Sequence, residues 1–425
     1  MLDIKFIREN KDLIKAAAVK KHLKFDVEEL LVVDEKRRSL LASVEKKQAE
    51  QNQCNDKVVN AKDKAERDSL IETMKVLKSS LQKEQEEVAE IMKKWQTLML
   101  QVPNIPDVSV PDGEDDSANK EVKVWGKIPK FSFKPKDHIE LMENLDLVDF
   151  EKGAEVSGFR GYFLKNDGAL LTYAVWQLVN EIFMKKEGWS QMLVPSLVRR
   201  ETLLGTGYLP QGEDDLYKTQ DNDYLAGTAE VAAMSYFAGE TLNKSELPKK
   251  IIAFSPAFRR EAGSHSKDTK GIYRVHEFMK FEQVIICEAL HETSVKHHEE
   301  LLANAEEILQ TLNIPYHVVI NCGGDLGLGQ VKKYDIETWV PSANKYRESH
   351  SCSYFHDFQT RRLNIKYREE GTKSLKFTHS LNNTALATPR ILISIIENNQ
   401  QEDGSILIPE ALQKYMGGKK VIKKL

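Results

Sequence analysis

Between Ser69 and Leu100 the apolar positions step as Met74, Leu77, Leu81, Val88, Ile91, Trp95 and Leu98, and the polar Glu84 fills the remaining place in the series. Alternating intervals of three and four, held over more than three repeats, predict a coiled-coil helix. The preceding segment, 26–63, contains neither Gly nor Pro and carries a weaker matching series: Leu30, Val33, Arg37, Leu40, Val44, Lys47, Gln51, Cys54 and Val58. Good helix formers dominate both segments. Two helices of similar length joined by a short polar link at Asp63–Asp68 predict an antiparallel hairpin. At 1.5 Å per residue it would project about 50–60 Å. Ahead of it, Asp3 to His22 predicts a short amphipathic helix through Ile4, Ile7, Leu13, Ile14 and Val19. On pattern alone a dimerisation coiled coil or a spacer is the simpler reading. The sharper one is an arm that reaches a large partner, its seam turning polar toward a tip with Lys46, Lys47, Lys57, Lys62, Lys64 and Arg67. Those cations suit a phosphate backbone and a solvated face equally well.

The pattern collapses after Gln101. Pro103, Pro106 and Pro111 interrupt it, and the acidic run Asp112–Asp116 follows, so residues 105–126 read as a hinge between a helical unit, 1–104, and a larger domain, 127–425. In that domain Ala169 to Phe183 carries a broad apolar stripe and predicts a buried helix, leading into a short strand, Gln191–Val194, stopped by Pro195. Ile251–Phe258 and Phe278–Glu288 predict strands around a polar loop, Arg259–Val275, which holds Arg259, Arg260, Glu261, His265, Lys267, Lys270 and Arg274. A long cationic connection between strands suits recognition of phosphates, and a solvated hairpin is the plain alternative. Lys373–Leu381 predicts a strand that passes through Asn382–Thr384 into a helix from Ala385 to about Gln400. Arg390, inside that apolar helix, calls for an anionic partner. Neither a G-x-G-x-x-G after a strand nor a P-loop occurs in a suitable place, so a nucleotide would be bound by another device.

Composition changes the picture little. The chain has 425 residues, a formal net charge of −4 and 30% charged residues, which exclude a blanket basic coat for nucleic acid. No apolar run approaches the ~20 residues of a membrane span, and MLDIKFIREN lacks the features of a secretory signal. Four cysteines (Cys54, Cys287, Cys322, Cys352) lie far apart without a C-x-x-C pair, which fits a reducing cytoplasm better than a disulfide framework or zinc ribbon. His297–His298 with Glu299 and Glu300 read as residues of a surface helix rather than a metal site.

Three segments together resemble the signature motifs of class II aminoacyl-tRNA synthetases. They are the apolar helix–strand–Pro195, the strand–loop–strand with FRREAGSHSKDTKGIYRVHEFMKFEQV, and the strand–helix LNNTALATPRILISIIENNQ. The match narrows to the seryl-tRNA synthetase family, bacterial type. The narrowing features are the N-terminal hairpin, NIPDVSVPDGEDD, GTGYLPQGEDDLY, GTAEVAA, ETWVPSANKYRESHSCS and DFQTRRLNIKYR. The resemblance covers essentially the whole chain. It implies an α+β fold, an antiparallel coiled-coil helical hairpin joined to a class II catalytic domain with a mostly antiparallel sheet flanked by helices. It also implies a cytoplasmic homodimer in which the arm of one subunit reaches tRNA bound by the other.

The implied activity is ATP-dependent formation of seryl-adenylate and transfer of the seryl group to serine tRNA, and to selenocysteine tRNA where a cell has one. The implied catalytic residues are Arg259 on the α-phosphate, Arg390 on the γ-phosphate, and Glu348, with Ser351 beyond it, holding Mg²⁺. Arg260, Glu261, Val275, Phe278, Ser349 and His350 complete the ATP site, with Phe278 stacking on adenine. Thr228, Ala229, Glu230, Glu282, Asn382 and Thr384 form the serine pocket. Asn383 and Pro389 ahead of Arg390 depart from the small residues the family usually has there, and a proline is tolerated only near the start of a helix. The histidines at 265 and 350 also depart from the usual pattern and read as neutral substitutions. Two other classes compete: a paralogue that loads a different acceptor, and a non-catalytic protein that works through its coiled coil.

Overall fold

The computed structural model describes residues 1–264 and 269–424, so His265 and Lys267 of the polar loop lie outside the described residues. The chain divides into two compact units, residues 1–19 with 23–103, and residues 20–22 with 104–425.

The first unit is helical: α1 (Ile4–Glu9), α2 (Lys11–Lys20), α3 (Val27–Asn60) and α4 (Lys64–Gln101). The expected single helix over 3–22 is broken at Asn10, whose side chain bonds back to the Phe6 carbonyl and closes α1. Asp26 and Asp63 cap the two long helices by accepting their first free amides, Glu28 and Glu29 in α3 and Glu66 in α4. Within the hairpin the polar seam positions meet each other. Lys47 Nζ lies 2.8 Å from Glu84 Oε1, and Ser43 donates to the other carboxylate oxygen. Arg37 lies over the Trp95 ring and also holds the fully buried Asp34, which Arg8 bonds from α1. Lys47 and Glu84, which interrupt the two apolar series, therefore complement each other across the seam.

The second unit is built on an eight-stranded sheet: β1 (Lys120–Trp125), β2 (Trp189–Leu193), β3 (Lys249–Phe258), β4 (Glu277–Cys287), β5 (Tyr316–Ile320), β6 (Lys332–Val340), β7 (Lys345–His356) and β8 (His379–Thr388). Its order is β1-β5-β6-β7-β8-β4-β3-β2, antiparallel throughout except for the β2–β3 edge pair. Helices α5 (Asn166–Met184), α6 (His291–Thr311) and α7 (Arg390–Asn398) pack apolar stripes against it. Val175 and Val179 of α5, Ile308 of α6 and Ile395 of α7 share one core with Ile285, Ile336 and Leu381 of the sheet.

Two expectations change, for the stretch 105–126 and for His297–His298. The stretch 105–126 contains β1, an edge strand held by β5, so its last part is sheet rather than linker. The basic C-terminus carries a two-residue strand, Val421–Ile422, paired with Ile406–Leu407, and Ile422 is buried. His297 and His298 lie on the buried side of α6 rather than at the surface. His298 stacks on Tyr334 at 4.8 Å and bonds the Cys352 carbonyl at 3.0 Å.

Burial pushes His298, His350 and His356 down to about 4 and His379 to about 3. The unfolded chain binds these protons near 6.5, whereas the folded one does not until near 4. Folding stability is therefore lost as pH falls from 6.5 toward 4, at about 1.4 kcal/mol per pH unit for each histidine. His317 works in the opposite sense: burial opposes its charge, but Glu337 and Glu121 outweigh that and raise it. Thermal melts between pH 7 and 4.5 should show the falling midpoint. His298→Phe, which keeps a ring on Tyr334, should flatten that slope by about one proton.

Candidate active site

The polar loop, β4, β7, β8 and the start of α7 converge on an open cleft of ≈ 180 Å³. Arg259, Glu261, Val275, Phe278, Glu348, Ser349, Ser351, Thr384 and Arg390 line it, together with Ile272, Tyr273, Arg274, Lys280, Ala387, Thr388 and Pro389. Arg259 directly follows β3, its Nε bonded to the Gly227 carbonyl at 3.3 Å and its guanidinium 5.4 Å from the centre of the Phe278 ring. Arg274 pairs with Glu261 at 2.6 Å. Arg390 opens α7. Its Nε bonds the Tyr273 carbonyl, its guanidinium lies 4.4 Å over the Tyr273 ring, and Nη1 stands 4.0 Å from Glu348 Oε2.

The helix after β8 begins at Arg390, not at Ala385 as the apolar run predicts. Ala385 to Thr388 continue the ladder to β4, with Leu386 opposite Phe281 and Thr388 opposite Met279. Proline has no amide to extend that ladder, so pairing ends at Thr388 and Pro389 becomes the helix cap. This puts Arg390 in the first turn, aimed into the cleft. A register shift at Phe281/Glu282, and another at Ile336/Glu337 opposite Glu348, re-aim side chains on both walls.

A second chamber adjoins the cleft, lined by Glu230, Glu282, Asn382, Tyr208, Gln359, Phe355, Phe358 and the loop Gly327–Gln330 among others. Arg259, Lys280 and Ser351 line both spaces and stand where they meet. Glu230 is buried and fully engaged: Tyr208 and Gln359 each donate to it at 2.7 Å. Burial, and then the neighbouring Glu282, raise its carboxyl above the ordinary range. Glu282 is paired with Lys280 and accepts from Thr228 at 3.0 Å. Glu348 is shifted the other way. Partial desolvation in the cleft would raise it, but Arg390, Lys333 and Arg259 together outweigh that and hold it below the ordinary value.

Four of the sequence-predicted residues lie off these walls. Arg260 bonds the Asp214 carbonyl instead. His350 is buried with Nε2 on the Ala385 carbonyl and Nδ1 against Ser349 Oγ, so its ring faces the sheet and not the cleft. Ala229 packs in a side core, and Thr228 lies behind the chamber wall, bonded to Glu282, Lys280 and the Glu230 amide. Thr384 lines the cleft rather than the chamber. Lys280, Tyr273, Tyr208 and Gln359 were not anticipated. Lys280 had a readable signal, because strand alternation puts Phe278, Lys280 and Glu282 on one face. The other three are joined to the site only by contacts between distant segments.

A strand–loop–strand and a strand–helix that each deliver one arginine to an antiparallel sheet define a class II aminoacyl-tRNA synthetase core. Residues 214–399 match the tRNA synthetase class II core domain (G, H, P, S and T), and residues 1–106 match the seryl-tRNA synthetase N-terminal domain. The serine–tRNA ligase of Deinococcus radiodurans is 45% identical over 423 residues, 99% of each chain, and that of Clostridium tetani is 43% identical over 428 residues, 100% of each. Among solved structures, seryl-tRNA synthetase from Pyrococcus horikoshii complexed with ATP superposes with a TM-score of 0.90 at 36% identity, covering 100% of both chains. Cytoplasmic serine–tRNA ligase from Naegleria fowleri in complex with AMP gives 0.86 at 31%, covering 100% of this chain and 99% of that one. The chain belongs to the seryl-tRNA synthetase family.

Tyr273 is the support on which Arg390 rests, and Arg347 lies over the same ring at 3.6 Å. Tyr273→Ala should raise the KM for ATP on the order of tenfold in pyrophosphate exchange, while Tyr273→Phe, which keeps the ring, should stay within about threefold. Steady-state exchange kinetics at varied ATP would check this.

Proposed function

We propose that this protein activates L-serine with ATP and transfers the seryl group to serine tRNA, with selenocysteine tRNA as a second acceptor where a cell has one. The observation that carries the reading is the junction of two spaces at Arg259, Lys280 and Ser351. One space is cationic and open, suited to a nucleotide triphosphate. The other holds two buried carboxylates, Glu230 and Glu282, suited to the ammonium of an amino acid.

In this reading adenine lies against Phe278, beside Glu261 and Val275, and Arg390 meets the terminal phosphate. Glu230, Glu282 and Asn382 take serine's ammonium and hydroxyl. Arg259 stands at the α-phosphate, where a serine carboxylate oxygen forms its bond to phosphorus as pyrophosphate leaves. Fixed cations placed where charge develops account for the rate without a strong base. In the second step a hydroxyl of the terminal ribose attacks the seryl carbonyl carbon and AMP departs. A chamber built to pair the serine hydroxyl leaves buried polar groups unsatisfied with alanine, and so rejects it.

Glu348 faces the cleft half-exposed, and Ser351 lies on the same wall. Two hard oxygen donors beside the proposed phosphate site fit Mg²⁺, and Glu348 and Ser351 would hold it there. When bound it would neutralise phosphate charge. Glu348, held ionised by its three cations, stays available as a ligand at neutral pH.

A homodimer is part of the same proposal. β2 leaves one edge of the sheet unpaired, and beside it Leu193 is 86% exposed, with Leu170, Tyr173 and Leu197 also exposed. Such an edge is normally covered.

Exchange of labelled pyrophosphate into ATP should depend on serine. Deleting about residues 30–95 should abolish charging of serine tRNA yet spare that exchange; exchange driven by another amino acid, or equal loss of both activities, contradicts the assignment. In sedimentation the intact chain should run at twice the monomer mass, and Leu193→Glu should shift it toward monomer. A fully active monomer would rule out the dimer.

A further inference from the structure

Lys21 is a buried cation with no carboxylate beside it among the described residues. It is 2% exposed and belongs by packing to the catalytic unit. Its ammonium donates to three carbonyls of one loop, Gly327 at 3.0 Å, Leu328 at 2.9 Å and Gln330 at 2.6 Å. The fourth carbonyl of that loop, Gly329, accepts from the side chain of the buried Asn104 at 2.9 Å. The Asn104 amide also donates to Leu328 O, and its side chain to Phe355 O. Each of the four consecutive carbonyls, 327 to 330, is thus held by Lys21 or Asn104, and the Gln330 amide closes a turn onto Gly327 O.

The peptide unit is planar and trans, so an amide N–H points opposite to the carbonyl of the preceding residue. With the Gly327 and Leu328 carbonyls on Lys21, the N–H groups of Leu328 and Gly329 point away from it. Neither amide has a protein acceptor among the described residues. Both residues line the chamber that holds Glu230 and Glu282. Two adjacent amides facing a cavity, backed by a cation, make a concavity suited to an anionic oxygen. The loop is pressed tightly into place: a Cβ at Gly329 would lie 2.5 Å from the Phe358 ring.

We propose that the Leu328 and Gly329 amides form a phosphate subsite for the acceptor end of the tRNA, with Lys21 and Asn104 as the positioning residues that orient it. The inference rests on the serine–tRNA ligase reading. The negative group of serine and the phosphates of ATP are matched by Arg259 and Arg390 at the other side of the chamber and in the cleft. The anion left for this wall is the phosphodiester that precedes the terminal nucleoside. Leu328, Phe355 and Phe358 offer that nucleoside apolar surface on the same wall. Burial pulls the Lys21 ammonium well below the usual lysine range. The three carbonyls nevertheless require the charged form, because a neutral amine would direct its lone pair at one of them.

The test compares Lys21→Met in the full-length protein with the parent in two assays. Charging of a serine tRNA transcript should show its tRNA KM raised on the order of tenfold, the value of a hydrogen bond to a charged group. The KM values for serine and ATP in pyrophosphate exchange should stay within twofold. Asn104→Ser, which releases the Gly329 and Phe355 carbonyls, should give the same split and decides the matter if Lys21→Met does not fold. An unchanged tRNA KM in a folded variant, or equal loss in both assays, overturns the subsite. Absence of serine-dependent exchange in the parent would instead overturn the underlying functional reading.

Discussion

The ladder between β4 and β8 is the constraint on which the site depends. It runs the length of β8 and from Met279 to Cys287 of β4, shifts register once at Phe281/Glu282, and ends at Thr388 because Pro389 cannot donate. The shift sits next to Lys280 and Glu282, at the boundary of cleft and chamber. The end of the ladder places Arg390 in the first turn of α7, where its guanidinium reaches Tyr273 and Glu348. One run of backbone pairing therefore sets both the junction of the two spaces and the position of the second arginine. Backbone pairing of this kind is stiff, which suits catalysis that relies on groups held in place before charge develops.

Charge is arranged locally rather than globally. The whole chain is slightly acidic, yet the cleft gathers Arg259, Lys280 and Arg390 around a few carboxylates. The two kinds of carboxylate are pushed in opposite directions. Glu348 is held ionised by three cations, while Glu230 is buried among neutral donors beside another acid and is raised. That separation matches their surroundings: one faces the proposed phosphate side, the other the proposed amino-acid side. Net charge alone was a poor guide to whether such a protein meets nucleic acid.

Much of this was legible from the chain. The three–four spacing gave the hairpin, and the polar places in its two seams, Lys47 and Glu84, turn out to face each other. The alternation in β4 and the apolar stripe of α5 were equally plain. The start of α7 was misread because Ala385–Thr388 has helical composition, and only the partner strand shows that the ladder claims it. His298 looked like a surface residue because its neighbours, Glu299 and Glu300, are charged, whereas its ring is stacked under Tyr334. Lys21, Tyr208 and Gln359 were invisible for a different reason. Each acts through segments tens to hundreds of residues away, and local spacing carries no trace of such contacts.

The most direct test is a crystal structure of the protein with a non-hydrolysable seryl-adenylate analogue. The account predicts the adenine against Phe278, the linkage at Arg259 between Lys280 and Ser351, and the seryl group among Glu230, Glu282 and Asn382. An adenine seated in the Glu230–Glu282 chamber, or a seryl group outside it, would contradict the account.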